Sequence, residues 1–188
     1  MSEARERWLN EGVRVLMDDG FNGIRIDRLA ARLGLSKGSF HHHFAGAVDY
    51  KRVLLGRIEQ LSLEALEIAV NSAPKTDTAR DVLRRLTDAV GTPAAGLYRP
   101  EMDAAVRAWA LSDADARATL ARIDEARLAA LEKVWRTYVR TDAEARIAAL
   151  VPYLLSVGAA VTSPPVSGSE LKAVFELILP LVPEVPGE

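Results

Sequence analysis

The 188-residue chain is 49% hydrophobic and 27% charged, which excludes an intrinsically disordered chain and allows one or two compact domains. It contains no cysteine, which excludes disulfides, thiol catalysis and cysteine zinc sites. The charged start is unlike a secretory signal, and no apolar run approaches the roughly 20 residues that cross a bilayer, so we expect a cytoplasmic protein with no membrane partner. The net charge is −2, yet residues 21–60 carry seven positive and three negative side chains. A basic segment on an otherwise acidic chain indicates a charge-asymmetric task.

Hydrophobic periodicity predicts an all-α protein with about nine helices. In the N-terminal part, the pattern predicts a first helix that ends at Gly20 and a short helix at about 26–33. A second short helix follows from Ser36 to Phe44, and a long helix ends near Ala73-Pro74. The first three elements fit a small helical domain at residues 1–46, and the long helix opens a larger helical domain at residues 47–188.

The second half of the sequence is divided by loop, proline and capping signals. These signals predict a helix marked by Leu83, Leu86 and Val90, a loop at 91–96 and a helix that starts at Pro100. They also predict a long helix that Ser112 precedes and that reaches about Arg140, and two helices opened by the capping boxes Thr141-x-x-Glu144 and Ser167-x-x-Glu170. No alternating run long enough for a strand interrupts this pattern.

Residues 29–44 have the spacing of a helix-turn-helix motif. Ala30 is small where the second helix would cross the first, and Gly34 can adopt a positive φ in the turn four residues later. Ser36 can cap the second helix by accepting a hydrogen bond from its first turn. The outward face would then carry short or cationic groups that reach phosphates and base edges, namely Lys37, Gly38, Ser39, His41 and His42.

The first 60 residues resemble the DNA-binding domain of TetR-family transcriptional regulators. The resemblance is carried by Gly20-Phe21, Ala30 to Gly34, Ser36-Lys37-Gly38-Ser39-Phe40, His43-Phe44 and Leu54-Leu55. It implies an N-terminal three-helix DNA-binding domain joined to a larger ligand-binding and dimerisation domain. The DNA-binding residues that it implies in this chain are Arg25, Ser36, Lys37, Gly38, Ser39, His41, His42 and Lys51.

The chain departs from the family pattern at three positions. His41 stands where members usually have a tyrosine that touches the DNA backbone, and Ala47 stands where a lysine often opens the fourth helix. Lys51 or Arg52 is expected to supply the phosphate contact instead. Arg25 replaces the serine or threonine that usually caps the second helix, which loses the cap but keeps a phosphate donor.

The three histidines of the chain are adjacent at residues 41–43, and they do not form the pattern of a metal site. Successive helical side chains point about 100° apart, so three in a row cannot converge on one ion. With no histidine in the larger domain and no cysteine anywhere, no nucleophile–base pair is found either. We therefore expect no metal, no cofactor and no enzymatic activity.

Two further sets of residues are candidates in the C-terminal domain. Aromatic and methionine side chains could line a small-molecule pocket or belong equally well to the core, and these are Met102, Trp109, Trp135, Tyr138 and Tyr153. Apolar residues of the last two helices could pair two copies as a four-helix bundle, and these are Leu150, Leu154, Val157, Leu171, Val174, Phe175 and Ile178. Alternatively, the last two helices bury one another within a single chain.

The sequence is interpreted as a homodimeric, ligand-responsive DNA-binding regulator. Repression, relieved by an unknown small-molecule effector, is the commoner behaviour in the family. The expected partners are a second copy of the chain, the effector, and double-stranded DNA with a near-palindromic operator whose half-sites lie about one helical turn apart, ~34 Å. The alternative is a protein-interaction module that retains the fold without specific DNA binding.

Overall fold

The computed structural model describes residues 2–71, 81, 84, 100–178 and 180. This part of the chain is helical, which confirms the predicted all-α class. It contains a 3-10 turn at Phe21–Gly23 and eight α-helices: α1 (Glu3–Asp19), α2 (Ile26–Leu33), α3 (Lys37–His41), α4 (Ala47–Asn71), α5 (Pro100–Ala110), α6 (Ala114–Trp135), α7 (Asp142–Val161) and α8 (Gly168–Ile178). The predicted helix at Leu83, Leu86 and Val90, the predicted loop at 91–96 and the predicted helix end at Ala73-Pro74 lie outside the described residues.

Most predicted helix ends are confirmed, and two helices are shorter than predicted. Helix α1 ends at Asp19, where Gly20 adopts a φ of 69° and donates its amide to the Leu16 carbonyl. Helix α6 begins after Asp113, whose carboxylate accepts the amide of Ala116 at 3.0 Å, and ends at Trp135 rather than near residue 140. Helix α3 ends at His41 rather than at residue 44.

Both predicted capping boxes are present. At the start of α7, the Thr141 side chain accepts the Glu144 amide, and the Glu144 carboxylate accepts the Thr141 amide. At the start of α8, the same reciprocal bonds join Ser167 and Glu170 at 3.2 and 2.9 Å. Each box satisfies amides that a helix start leaves without intrahelical partners.

The chain divides into two compact units: residues 1–62 with 95–123, and residues 63–94 with 124–188. Helices α4 and α6 each contribute to both. The division at residue 46 expected from the sequence stays a prediction.

The core of the first unit is built around an aromatic cluster that joins α1, α3 and α4. The Trp8 ring meets the Phe40 ring edge-on at 5.3 Å between centroids, and Phe44 and Tyr50 pack against Phe40 at 5.0 and 5.3 Å. The Tyr50 hydroxyl donates to the Trp8 carbonyl at 2.8 Å. This contact needs Gly12, because a Cβ at that position would lie 2.1 Å from the Tyr50 hydroxyl oxygen. Burial, with a smaller effect of the Glu11 carboxylate, raises the pKa of Tyr50 well above its ordinary value.

The second unit contains two small apolar clusters among its described residues. Trp135 at the end of α6 packs on Ala145 and Ala149 of α7. Further along, Ala159 of α7 packs with Leu171 and Phe175 of α8. The described contacts of α7 in these clusters are made at alanines, whose small side chains allow neighbouring segments to approach closely.

Helix α7 is apolar on most of its surface. It spans 20 residues, its most apolar window has a mean hydropathy of 1.4, and only 17% of that window is buried within the chain. By length and composition it could cross a membrane, although the sequence had been expected to contain no apolar run near that length. Length and composition equally fit a helix that packs against another protein chain.

Candidate nucleic-acid interface

Helix α3 is set by a glycine turn at the end of α2. Gly34 has φ 64° and ψ 31°, the left-handed conformation that a side chain disfavours, and its amide donates to the carbonyls of Ala30 and Ala31. The Leu35 amide returns to the Ala30 carbonyl at 3.0 Å. Ser36 then caps α3 by accepting the Ser39 amide at 3.2 Å. The turn and cap have the form predicted from the sequence.

Only one side of α3 is buried. Phe40 is fully buried in the aromatic cluster, whereas Lys37, His41 and His42 are exposed and Ser39 is half-buried. Gly38 is also exposed, and a Cβ at that position would meet only the Ser36 hydroxyl oxygen, at 3.6 Å. Packing therefore does not require a glycine here. Because Gly38 has no side chain, another molecule can approach the backbone of α3 closely at this position.

Arg25 precedes α2 and remains exposed. Its side chain makes no capping bond, and its guanidinium binds the Asp27 carboxylate at 3.1 Å. The hydrogen bond from Arg25 holds the pKa of Asp27 below its ordinary range. An exposed pair of this kind contributes little to stability, so the guanidinium can exchange its partner for a phosphate at low cost.

Both arginines within α2 are bound to acidic groups on α1. Arg28 contacts the Asp19 carboxylate at 2.7 Å. Arg32 binds the largely buried Glu11 carboxylate and contacts Asp18 at 3.1 Å. These ion pairs hold α2 against α1, so part of the positive excess counted in residues 21–60 has a structural partner.

Lys51 is half-buried and forms an ion pair with Asp113, and its ammonium lies 3.8 Å from the Asp115 carboxylate. Burial acts to raise the pKa of Asp113, but the bonds from Lys51 and the Ala116 amide together leave it below its ordinary value. Lys51 must leave this partner before it can contact DNA.

Of the seven cations counted in residues 21–60, Lys37 and Arg52 have neither an ion pair nor a hydrogen bond among the described residues, and both are exposed. From the sequence, Arg52 is expected only as an alternative to Lys51 for the phosphate contact that is lost at Ala47. Because Arg52 is exposed, it is more available than Lys51 to contact a phosphate. Lys51 and Arg52 are adjacent on a helix, so their side chains point about 100° apart. The sequence could therefore have indicated that only one of the two is bound by a partner on a neighbouring helix.

The structure brings four of the eight predicted DNA-binding residues to one open groove of the first unit: Arg25, Lys37, His41 and Lys51. Ser36, Gly38, Ser39 and His42 lie on or beside α3 outside the groove lining. Together they form a surface of cations, imidazoles, hydroxyls and an accessible backbone that can donate hydrogen bonds to phosphate oxygens and base edges.

The predicted pocket residues fall into both units. Met102 and Trp109 are buried in the core of the first unit, where the Trp109 ring stacks on Phe21 at 4.4 Å. Trp135, Tyr138 and Tyr153 belong to the second unit, with Trp135 buried and the tyrosines half-buried. The indole N–H of Trp135 has no hydrogen-bond acceptor among the described residues.

The predicted dimer residues are divided between packing within the chain and exposure. Leu171 and Phe175 are buried against α7, Leu154 is exposed, and the others are half-buried; these others are Leu150, Val157, Val174 and Ile178. The exposed apolar stripe of α7 instead contains Ile147, Val151, Leu154 and Val161, and the half-buried Gly158 completes its spacing of four and three residues. The spacing of four and three residues is visible in the sequence. Because α7 is apolar on most sides, however, the sequence does not tell which face of the helix is exposed.

Metal ligands do not cluster in the part of the chain that the structure describes: it contains no group of three or more histidine, aspartate or glutamate side chains placed to share an ion.

Comparison with known proteins places the N-terminal segment in a family. Residues 9–46 match the family model of bacterial regulatory proteins, tetR family. A comparison with curated protein sequences gives no match.

Solved structures share the fold over nearly the whole chain. NemR from E. coli, in its reduced form, has a TM-score of 0.77 at 18% identity, covering 99% of this chain and 100% of its own. A putative TetR-family regulator from Rhodococcus sp. has a TM-score of 0.74 at 18% identity, with 96% and 99% covered. A putative transcriptional regulator from Saccharomonospora viridis, solved with choline, has a TM-score of 0.73 at 20% identity, with 96% and 97% covered.

The fold and the exposed α3 define a helix-turn-helix protein with a larger helical body. Residues 9–46 are a TetR-family domain, and the chain as a whole has the fold of TetR-family transcriptional regulators. The resemblance drawn from the sequence is confirmed.

Proposed function

We propose that the protein is a homodimeric transcriptional regulator that reads a near-palindromic DNA site through α3 and releases it when a small molecule binds the helical body. The observation that carries this proposal is the outer face of α3, which the fold leaves open. Lys37, Gly38, His41 and His42 are exposed there, on a helix held rigidly by Phe40 and the Gly34 turn. Arg25 and Lys37 would contact phosphates, and Ser39, His41 and His42 would lie nearest the base edges.

Selection of bound duplexes from a random-sequence pool tests the proposal directly. We expect enrichment of a near-palindrome whose half-sites are centred about one helical turn apart, ~34 Å. In mobility shifts on the selected duplex, affinity should fall steeply as salt rises, because bound phosphates release counterions. No enrichment, together with no retardation at low salt, would overturn the DNA-binding role.

The exposed stripe of α7 supports a second copy of the chain as its partner. Its residues recur at the four-and-three spacing with which helices pair, and Gly158 allows close approach at one position of the stripe. Leu177 of α8 is also exposed and apolar. Two copies joined through these helices would cover surface that one chain leaves in water, and would present two α3 helices to one duplex.

Leu154→Asp is expected to convert the dimer to a monomer, because it places a charge within the apolar stripe of α7. Analytical ultracentrifugation would report the mass of the variant. DNA affinity should fall in parallel, since a single head loses the second half-site. Leu111→Asp is the matched control, because Leu111 is 84% exposed and lies outside the stripe. Equal masses for wild type and Leu154→Asp would contradict this interface, and partition of the wild type into lipid vesicles would assign α7 to a membrane.

A buried donor in the second unit supports an effector site there. The Trp135 indole N–H has no acceptor among the described residues, and buried donors are seldom left unpaired. An acceptor oxygen of a ligand would satisfy it, with Tyr138, which packs against the Trp135 cluster, as further lining; Tyr153 stays a candidate from the sequence. The Saccharomonospora viridis protein, of similar fold, is solved with choline, which supports the proposal of a small-molecule site in this chain.

Asp113→Asn is expected to raise DNA affinity roughly three- to tenfold by releasing Lys51 to a phosphate. The asparagine oxygen can still accept the Ala116 amide, so the start of α6 is retained. The salt dependence should steepen by about one phosphate contact, a slope change near 0.9. Mobility shifts at several salt concentrations measure both. Asp115→Asn removes the same charge from a side chain 3.8 Å away from Lys51, and an equal effect of both variants would show that only net charge matters.

The ion pair of Lys51 with Asp113 also favours the alternative function, an interaction module without specific DNA binding. In that case Lys51 is a structural residue, and α3 presents its exposed face to another protein. The two functions differ in the pool selection, because an interaction module would enrich no DNA sequence.

A further inference from the structure

An open groove of about 690 Å³ runs beside α3 in the first unit. Its apolar part includes Phe21, stacked on Trp109 with ring centroids 4.4 Å apart and planes 15° apart. Val48, 71% exposed, lines it from the start of α4. Ile24 and Ile26 complete this apolar lining. Apolar side chains gathered in a concave surface of this kind are typical of small-molecule sites.

The polar lining of the groove is mostly cationic. Arg25, Lys37 and Lys51 contribute positive charges and His41 an imidazole, against one carboxylate, Asp27. Arg25 is paired with Asp27, and Lys51 with Asp113. Lys37 has no ion pair among the described residues, so it is the cation that is free to receive an anion at the groove.

We propose that this groove is a binding site for a small amphipathic anion, with a carboxylate, sulfonate or phosphate on Lys37 and an apolar body against Phe21, Val48 and Trp109. The volume lies in the range of small-molecule sites. The combination of one available cation with an aromatic floor fits such a ligand better than it fits a nucleic-acid backbone, because a sugar-phosphate chain gains nothing from the apolar floor.

An occupied groove excludes DNA directly. The anion takes Lys37 and lies beside Arg25 and His41, which the proposed function assigns to DNA. The ligand would thus act on the reading head itself, separately from the effector site proposed in the second unit. The site does not depend on DNA binding, whereas the competition rests on the proposed function.

Anilinonaphthalene sulfonate is a suitable probe, because it joins an aromatic body to one anionic group and becomes fluorescent on apolar protein surface. Its uncharged counterpart, N-phenylnaphthylamine, has the same body without the charge, and inorganic sulfate has the charge without the body. Each would be titrated against the full chain, by fluorescence for the dyes and by displacement of the sulfonate dye for sulfate. We expect the sulfonate dye to bind roughly tenfold more tightly than the uncharged dye, and sulfate to displace it only weakly.

Two variant pairs locate the bound dye. Val48→Glu and Lys37→Gln should each weaken sulfonate binding roughly tenfold. Leu111→Glu and Lys133→Gln, at exposed positions that do not line the groove, should leave it unchanged. Both groove positions are exposed, and a glutamate near the start of α4 suits a helix N-terminus, so the variants should fold, which thermal unfolding checks. Equal affinity in wild type and both groove variants would overturn the proposal, as would equal binding of the two dyes.

A final measurement separates the site from the competition. The selected duplex, added to the dye-loaded protein, should release the dye fraction that the groove variants lack. If the variants weaken dye binding but duplex leaves the dye in place, the groove site stands and the competition with DNA is wrong. If no duplex is bound at all, the proposed function fails while the groove site is still decided by the variants.

Discussion

Gly38→Leu is expected to weaken binding to the selected DNA by roughly a hundredfold or more while the protein stays folded. Gly38 is exposed on α3, and an added Cβ would meet only the Ser36 hydroxyl oxygen at 3.6 Å, so the fold has room for a side chain. A leucine there would project from the outer face of α3 and hold the helix away from the base edges. Leucine also favours a helix more than glycine does, so thermal stability should be unchanged or slightly higher.

Gly56→Leu is the matched control for this variant. Gly56 also lies in a helix and is exposed, and a Cβ added there meets no atom within 4 Å. DNA affinity should be unchanged in the control, measured by mobility shift on the same duplex. If Gly38→Leu binds DNA like the control, α3 is not the helix that enters the groove, and the interaction-module function gains support.

Gly12→Ala is expected to lower the free energy of unfolding by about 2–4 kcal/mol, because it combines overpacking with the loss of a buried hydrogen bond. The added Cβ would lie 2.1 Å from the Tyr50 hydroxyl oxygen and 3.1 Å from Leu54 Cδ1. Tyr50 cannot easily yield, because its ring is packed between Phe40 and Phe44. Its displacement would also break the bond to the Trp8 carbonyl. Urea unfolding followed by circular dichroism measures the loss.

A double-mutant cycle tests the cause of that loss. In a Tyr50→Phe background the colliding oxygen is absent, so Gly12→Ala should cost less than it does in the wild type. Gly56→Ala serves as the control for glycine replacement in a helix, and it should stabilise the protein by up to about 1 kcal/mol. An equal cost of Gly12→Ala in both backgrounds would show that the hydroxyl contact is not the reason for the glycine.

The sequence predicted the helix-turn-helix well because its local signals agree with one another. The hydrogen bonds made at Gly34, at Ser36 and in the two capping boxes join residues only a few positions apart, so the spacing of residues in the sequence is enough to predict them. Helix lengths were less predictable. Asp113, rather than the preceding serine, caps α6, and the choice between neighbouring polar residues depends on packing that one sequence does not reveal.

The availability of charge in the candidate site could not be predicted in the same way. Arg28 and Arg32 look like nucleic-acid contacts in a one-dimensional count, and Asp18 and Asp19 look misplaced at the negative end of a helix dipole. The fold brings these two acids to the two arginines, which accounts for both observations. Lys51 and Asp113 are likewise distant in sequence, so their pairing becomes visible only when α4 and the start of α6 lie side by side.

The acids that hold α2 against α1 have a further consequence for specificity. Because Arg28 and Arg32 are already paired with these acids, they add little to a general attraction for nucleic acid, and the salt-dependent part of the proposed DNA binding is left to Arg25, Lys37 and Arg52. Discrimination among competing genomic sequences then falls to short-range fit, where one wrong base pair typically costs about 1–3 kcal/mol. In the proposed function, a head with fewer unpaired cations spends less time on other DNA, which leaves more of the regulator available for its own site.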